Sequence, residues 1–118
     1  TPSDLHPLCM ELGIPLVYDV HHHRCNPDGI STEAATELCM ATWRNAGRGE
    51  PYFHVSSPKN GWDGAAVKSH ADYIDPSDFP RCWLRLKYDF TVDVEAKAKE
   101  LAVLRLMKDI RPLLRGRA

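Results

Sequence analysis

Apolar positions along the chain alternate between helical spacing and the two-residue period of a strand, and the switches predict its elements. Leu5, Leu8, Cys9 and Leu12 form a helical stripe behind the capping pair Ser3-Asp4, and Gly13 is a stop signal. Pro15 leads into a short apolar run that predicts a first strand over residues 16–20, and Asn26-Pro27-Asp28-Gly29 is a turn by composition. Ser31 or Thr32 opens a helix to about Asn45, with Glu33 in its first turn and Ala35, Leu38, Cys39, Thr42 and Trp43 as its stripe. Met40 and Trp43 are assigned to packing. After a loop over residues 47–51, Tyr52–Val55 predicts a second strand, with Phe53 and Val55 on one face and Tyr52, His54 and Ser56 on the other.

The loop SPKNGWDG follows, and Asp75-Pro76-Ser77-Asp78 reads as a cap for a helix over residues 79–86. Residues 90–94 predict a third strand, setting Phe90, Val92 and Val94 against Thr91, Asp93 and Glu95. A last helix is expected from Ala96 to about Ile110, with Leu101, Leu104, Met107 and Ile110 as its apolar stripe and Pro112 ending it. Helices alternating with strands mean a parallel α/β sheet. With no repeat and no linker, residues 1–118 are expected to form a single unit. Three parallel strands would leave both edges open, so the unit is expected to belong to a larger sheet or barrel.

Composition narrows the setting. Hydrophobic content of 43% and charged content of 26% are those of a globular protein, and no apolar run reaches the length of a membrane span. The chain opens at TPSDL without Met, as an excised piece of a longer protein would. Cys9, Cys25, Cys39 and Cys82 are dispersed with no CxxC pair, which points to a reduced, cytoplasmic location. The net charge of −1 hides a basic end: Lys97, Lys99, Arg105, Lys108, Arg111, Arg115 and Arg117 stand against Glu100 and Asp109. Such an end either meets phosphates or is the solvated face of a helix.

The chemistry gathers around LVYDVHHHRC, where an apolar run ends in Asp19 and the triplet His21–His23. Oxygen and imidazole donors this close suit a hard or borderline divalent ion, while the plain alternative is a His-rich surface turn. Asp19, His54 and Glu95 each stand at the carboxyl end of a different predicted strand, the edge where parallel α/β proteins build their sites. Taken singly, His54 could be a core imidazole and Glu95 an N-cap carboxylate. Together they predict a cluster of two or three divalent ions. Such a cluster would generate hydroxide from bound water and neutralise charge on a phosphoryl group. His70 can reach the same rim, and Lys97 and Lys99 lie close enough to contact a phosphate chain. Glu95, Asp19 and Lys97 are the candidate catalytic residues. No Gly-rich nucleotide loop and no nucleophile-elbow serine is present.

Four stretches in order, LVYDVHHHRCN, FHVSSPK, SHADYID and VDVEAKAKELAVLRL, resemble the UV-damage endonuclease family of the UVDE (UvsE) type. They cover the chain from about Pro15 to Ile110. The resemblance implies the C-terminal part, about three β/α units, of a metal-dependent TIM (β/α)8 barrel related to endonuclease IV. It implies nicking of DNA immediately 5′ to ultraviolet photoproducts, in excision repair. Asp19, His22, His54, His70 and Glu95 would be metal ligands, with His70 a ligand or a phosphate contact. Lys97 and Lys99 would touch DNA phosphates. Mn²⁺ is the first expectation, with Zn²⁺, Mg²⁺ or Co²⁺ as alternatives. The partners would be UV-damaged double-stranded DNA and the remaining N-terminal strands, without which the piece should cleave little and self-associate.

Two departures stand out: Tyr52 occupies a position where the family often has a lysine, and KNGWDG lengthens the loop after the second strand. Two rival functions fit parts of the pattern. A metal-dependent sugar isomerase shares the barrel and rim but has no use for the basic end. A non-enzymatic zinc module would use Cys25 with His21–His23.

Overall fold

The computed structural model describes residues 1–115, which divide into two compact units. The first holds residues 1–54 and 89–93, and the second holds residues 55–88 and 94–115. A three-stranded sheet of order β1-β2-β3 is built from β1 (Tyr18–Asp19), β2 (Tyr52–Val55) and β3 (Thr91–Val94). β1 pairs with β2 in parallel, Tyr18 opposite Phe53 and Asp19 opposite His54. The Thr91 N–H bonds the Pro51 carbonyl and the Glu95 N–H bonds the Val55 carbonyl, each at 2.9 Å. The same sequence offset in both bonds makes β3 parallel to β2.

In the first unit α1 (Pro2–Leu12) packs on α3 (Thr32–Ala46). Thr1 caps α1, Ser31 caps α3 by accepting from the Ala34 N–H, and Gly13 and Gly47 end them at φ 66 and 64, where a Cβ would be strained. Tyr18, Val20, Ala35, Cys39, Met40 and Phe53 are buried, and Tyr18 and Phe53 meet edge to face at 6.3 Å. Trp43 Nε1 donates to the Leu16 carbonyl at 3.0 Å and the Leu16 N–H to Thr42 Oγ1 at 2.8 Å, which ties α3 to the approach to β1. Leu5, Leu8, Leu12, Ile14 and Val17 are exposed.

Here the structure corrects the expected first strand. Only Tyr18 and Asp19 are extended, and Val20–Cys25 forms a short helix, α2, that carries the whole histidine triplet. The Asp19 side chain accepts the His22 N–H, so the strand ends where a capping carboxylate starts a helix.

In the second unit Val55, Ile74, Phe79, Trp83 and Leu84 are buried, with Phe79 and Trp83 edge to face at 5.3 Å. The helix expected over residues 79–86 is instead a pair of 3-10 turns, Pro76–Asp78 and Arg81–Arg85. Pro80 explains this: it lacks an N–H and forces Phe79 into extended backbone, φ −77 and ψ 120. The long loop is anchored by Asp78, which accepts from Ser57 Oγ at 2.6 Å and from Trp62 Nε1 at 2.9 Å. The last helix, α4 (Glu100–Arg115), starts later than expected and carries Pro112 within it. Residues 96–99 are held as a turn, because the Lys97 and Ala98 N–H groups bond the Ala71 and Asp72 carbonyls at 3.1 and 3.0 Å. Leu101, Leu104 and Met107 of its apolar stripe are 56%, 63% and 51% exposed in this chain, while Ala102 and Leu106 are buried. Small Ala102, one turn from Leu106, allows close approach on that face, and Arg105 stacks 3.7 Å over the Tyr73 ring. Arg117 lies outside the described residues. No described helix is long and apolar enough to cross a membrane.

Candidate metal centre

Asp19 is both the last residue of β1 and the cap of α2. Its Oδ1 accepts the His22 N–H at 2.9 Å, and its Oδ2 stands 3.3 Å from His22 Nδ1 and 4.0 Å from His54 Nδ1. The pairing of Asp19 with His54 across the sheet brings the last two together. His54 points its other nitrogen at β3, with Nε2 3.7 Å from Asp93 Oδ2. Two carboxylates therefore bracket one imidazole at distances longer than hydrogen bonds. The Tyr52 ring lies edge-on to His54 at 5.5 Å.

Glu95 follows β3 directly and is half-buried. It does not cap α4, which begins at Glu100, so the N-cap explanation of its carboxylate falls away. Asp19, His54 and Glu95 each offer a donor atom within 4.8 Å of the others, the one such group of His, Cys, Asp and Glu among the described residues. Donors around an ion bound at about 2.1 Å stand roughly 3.0–4.2 Å apart, so small side-chain rotations bring this set into range. Two oxygens and one imidazole suit a hard or borderline divalent cation, and the set fits one.

The remaining candidates are placed differently. His22 touches Asp19, but its side chain is 77% exposed and stands outside the convergent group. His70 sits at the base of the long loop, bridged to Pro58, and lines a concavity with Glu95, Lys97 and Lys99. His21 is buried in α2. Cys25 is a free thiol and joins no metal-type group among the described residues. Asp93 is what the sequence reading misses as a site residue. The signal was present in the Thr91, Asp93, Glu95 face of the third strand.

His23 is committed elsewhere. Its Nε2 lies 2.6 Å from Asp28 Oδ1 and its Nδ1 2.6 Å from the Tyr18 hydroxyl. The carboxylate can only accept, so Nε2 donates, and a neutral ring then accepts from Tyr18. The His23 and Asp28 side chains are only 5% and 7% exposed. Burial pushes the Asp28 carboxyl up, but hydrogen bonds from His23, Ser3 and Ile30 outweigh it and hold the group well below the usual carboxylate range. Burial, helped by Cys9 and Asp28, pushes the Cys39 thiol up to about 12, which makes it inert packing.

Comparison with known proteins fixes the family. The family model described as UV-endonuclease UvdE matches residues 1–115. The UV DNA damage endonuclease of Bacillus velezensis is 36% identical over 107 residues, which make up 87% of this chain and 32% of that protein. The corresponding protein of Bacillus mycoides is 31% identical over 114 residues, 93% of this chain and 34% of that one. The crystal structure of SacUVDE superposes with a TM-score of 0.75 at 25% identity, covering 95% of this chain and 36% of that one. The chain thus spans about a third of the length of the curated relatives it matches. Its parallel α/β architecture is a C-terminal portion of a TIM barrel. On these grounds the chain belongs to the UV-endonuclease UvdE family.

Proposed function

We propose that this chain is the C-terminal part of a divalent-metal-dependent DNA repair endonuclease that nicks the backbone 5′ to ultraviolet photoproducts in duplex DNA. The observation that carries this reading is the meeting of Asp19, His54 and Glu95 donors within 4.8 Å at the carboxyl ends of three adjacent strands. These three would hold the ion, with His22 and His70 as further ligands and Mn²⁺ the first choice. The ion, when bound, supplies Lewis-acid chemistry that acidifies water and offsets phosphoryl charge.

The protein's own groups do the rest. Asp19 is oriented by the His22 N–H, so its second oxygen keeps a fixed aim toward His54. Asp93 restrains the far side of the His54 ring. Lys97 and Lys99, exposed beside Glu95, hold the phosphates flanking the bond to be cut. The remaining partner is the N-terminal part of the barrel, which would cover the edge of β1 and the exposed apolar residues Leu5, Leu8, Leu12 and Val17.

Nicking of irradiated duplex tests the reading. The chain alone with Mn²⁺ should cleave little. Joined to the N-terminal remainder of a Bacillus relative, it should cut 5′ to the lesion and lose that activity in Glu95→Gln. A folded fusion that leaves irradiated duplex intact, or one indifferent to Glu95→Gln, would overturn the proposal.

A further inference from the structure

Two segments of the second unit form an open concavity of about 740 Å³, and its lining includes Lys68, Ser69, His70, Glu95, Lys97 and Lys99. Both walls are fixed by backbone bonds. Ser69 N–H returns to the Ala66 carbonyl at 2.8 Å, and Lys99 N–H to the Ala96 carbonyl at 3.0 Å. Lys97 and Ala98 are stitched to Ala71 and Asp72 directly after His70. The walls also share an unusual feature. Ala66 (φ 53) and Lys99 (φ 54) are the non-glycine residues with positive φ among the described residues, one at the root of each wall. Left-handed backbone is disfavoured for a residue with a Cβ and persists only where the surrounding structure holds it.

The charge in the concavity is unbalanced. Lys68, Lys97 and Lys99 face a single carboxylate, Glu95, and none of the three lysines is in an ion pair among the described residues. Ser69 adds a hydroxyl donor and His70 an imidazole. From this we infer that the concavity is a phosphate seat in which Lys68 and Ser69, from the loop after β2, close on the same phosphate group as Lys97 and Lys99 from the turn before α4. The inference rests on the nuclease reading for the identity of the ligand, a backbone phosphate of DNA, and adds a second wall to the contact. The same chemistry would accept free phosphate, and the test separates the two sources.

The test uses this chain in EDTA, so that neither cleavage nor metal enters. Affinity for a short undamaged duplex is measured against salt for the wild type, Lys68→Ala, Lys68→Arg, Lys97→Ala and the control Lys87→Ala, an exposed lysine outside the concavity. Amide shifts of Ser69, His70, Lys97 and Lys99 are followed separately with inorganic phosphate. Lys68→Ala should weaken duplex binding by about 3- to 10-fold and flatten the salt slope by about one, matching Lys97→Ala, while Lys68→Arg retains most of the affinity. Lys87→Ala should leave the slope alone, and thermal melting should be unchanged for every variant. Duplex binding that ignores Lys68→Ala while falling in Lys97→Ala overturns the seat and leaves the nuclease reading intact. Equal losses in Lys68→Ala and Lys87→Ala overturn it too, since the binding is then diffuse. Phosphate shifts at these four amides without any duplex binding keep the seat and count against DNA as its ligand. Silence with both probes overturns the seat.

Discussion

Two histidines of the first unit show how packing divides one residue type between two tasks. His23 is sealed, 5% exposed, with both ring nitrogens at 2.6 Å from a partner. His54 is 28% exposed, and the carboxylates of Asp19 and Asp93 stand off its nitrogens at 4.0 and 3.7 Å. In the first case the network is closed, and the ring's job is to join β1, α2 and the turn at Asp28. In the second, His54 and Asp19 each offer a donor atom to the convergent group with Glu95, a set that fits an ion. The lesson is that a carboxylate near a histidine does not identify a ligand. Separation and exposure distinguish the sealed pair from the residue that joins a metal-type group.

That contrast can be broken at each end. His23→Ala should have the largest effect, because it strands the buried Asp28 carboxylate. A loss of about 3–5 kcal/mol in chemical denaturation is expected. His54→Ala should cost less stability than His23→Ala but weaken Mn²⁺ binding at least about 100-fold by calorimetry. If the two outcomes were exchanged, the division of labour would be wrong.

Acid sharpens the first half of the comparison. The Asp28 carboxyl is held low in the native state, so its contribution to stability is complete above the ordinary carboxylate pKa of about 3.9. It drains away as pH falls below that value and the unfolded chain takes up the proton first. The melting difference between wild type and Asp28→Asn should therefore be widest near neutral pH and narrow below about pH 4. The smallest effect should come from Cys25→Ser, which should leave metal content unchanged by elemental analysis. A zinc module built on Cys25 would lose most of its metal.

How far the sequence could anticipate this depends on the range of the forces involved. β2 and α3 were legible because each carries a full local pattern, an alternation in one and a capped stripe in the other. The grouping at the strand edge was legible for a related reason: parallel strands present their carboxyl ends together, so Asp19, His54 and Glu95 could be placed side by side without knowing the packing. α2 was not legible, since six residues are too few to show a helical period, although Asp19 three residues before His22 was a readable cap. The stripe of α4 was legible as a pattern but did not tell which face this chain buries. Its pattern is strong, but in this chain Ala102 and Leu106 form the buried face. Nothing local announces that His23, alone of its triplet, turns toward an aspartate five residues on.

The most direct measurement is an anomalous difference map from crystals of the complete protein carrying this segment, grown with Mn²⁺ and recorded near the manganese edge. The account predicts a peak within about 2.5 Å of donor atoms from Asp19, His54 and Glu95. Manganese bound at Cys25 or the buried His21, with no density at the ends of the three strands, would contradict it.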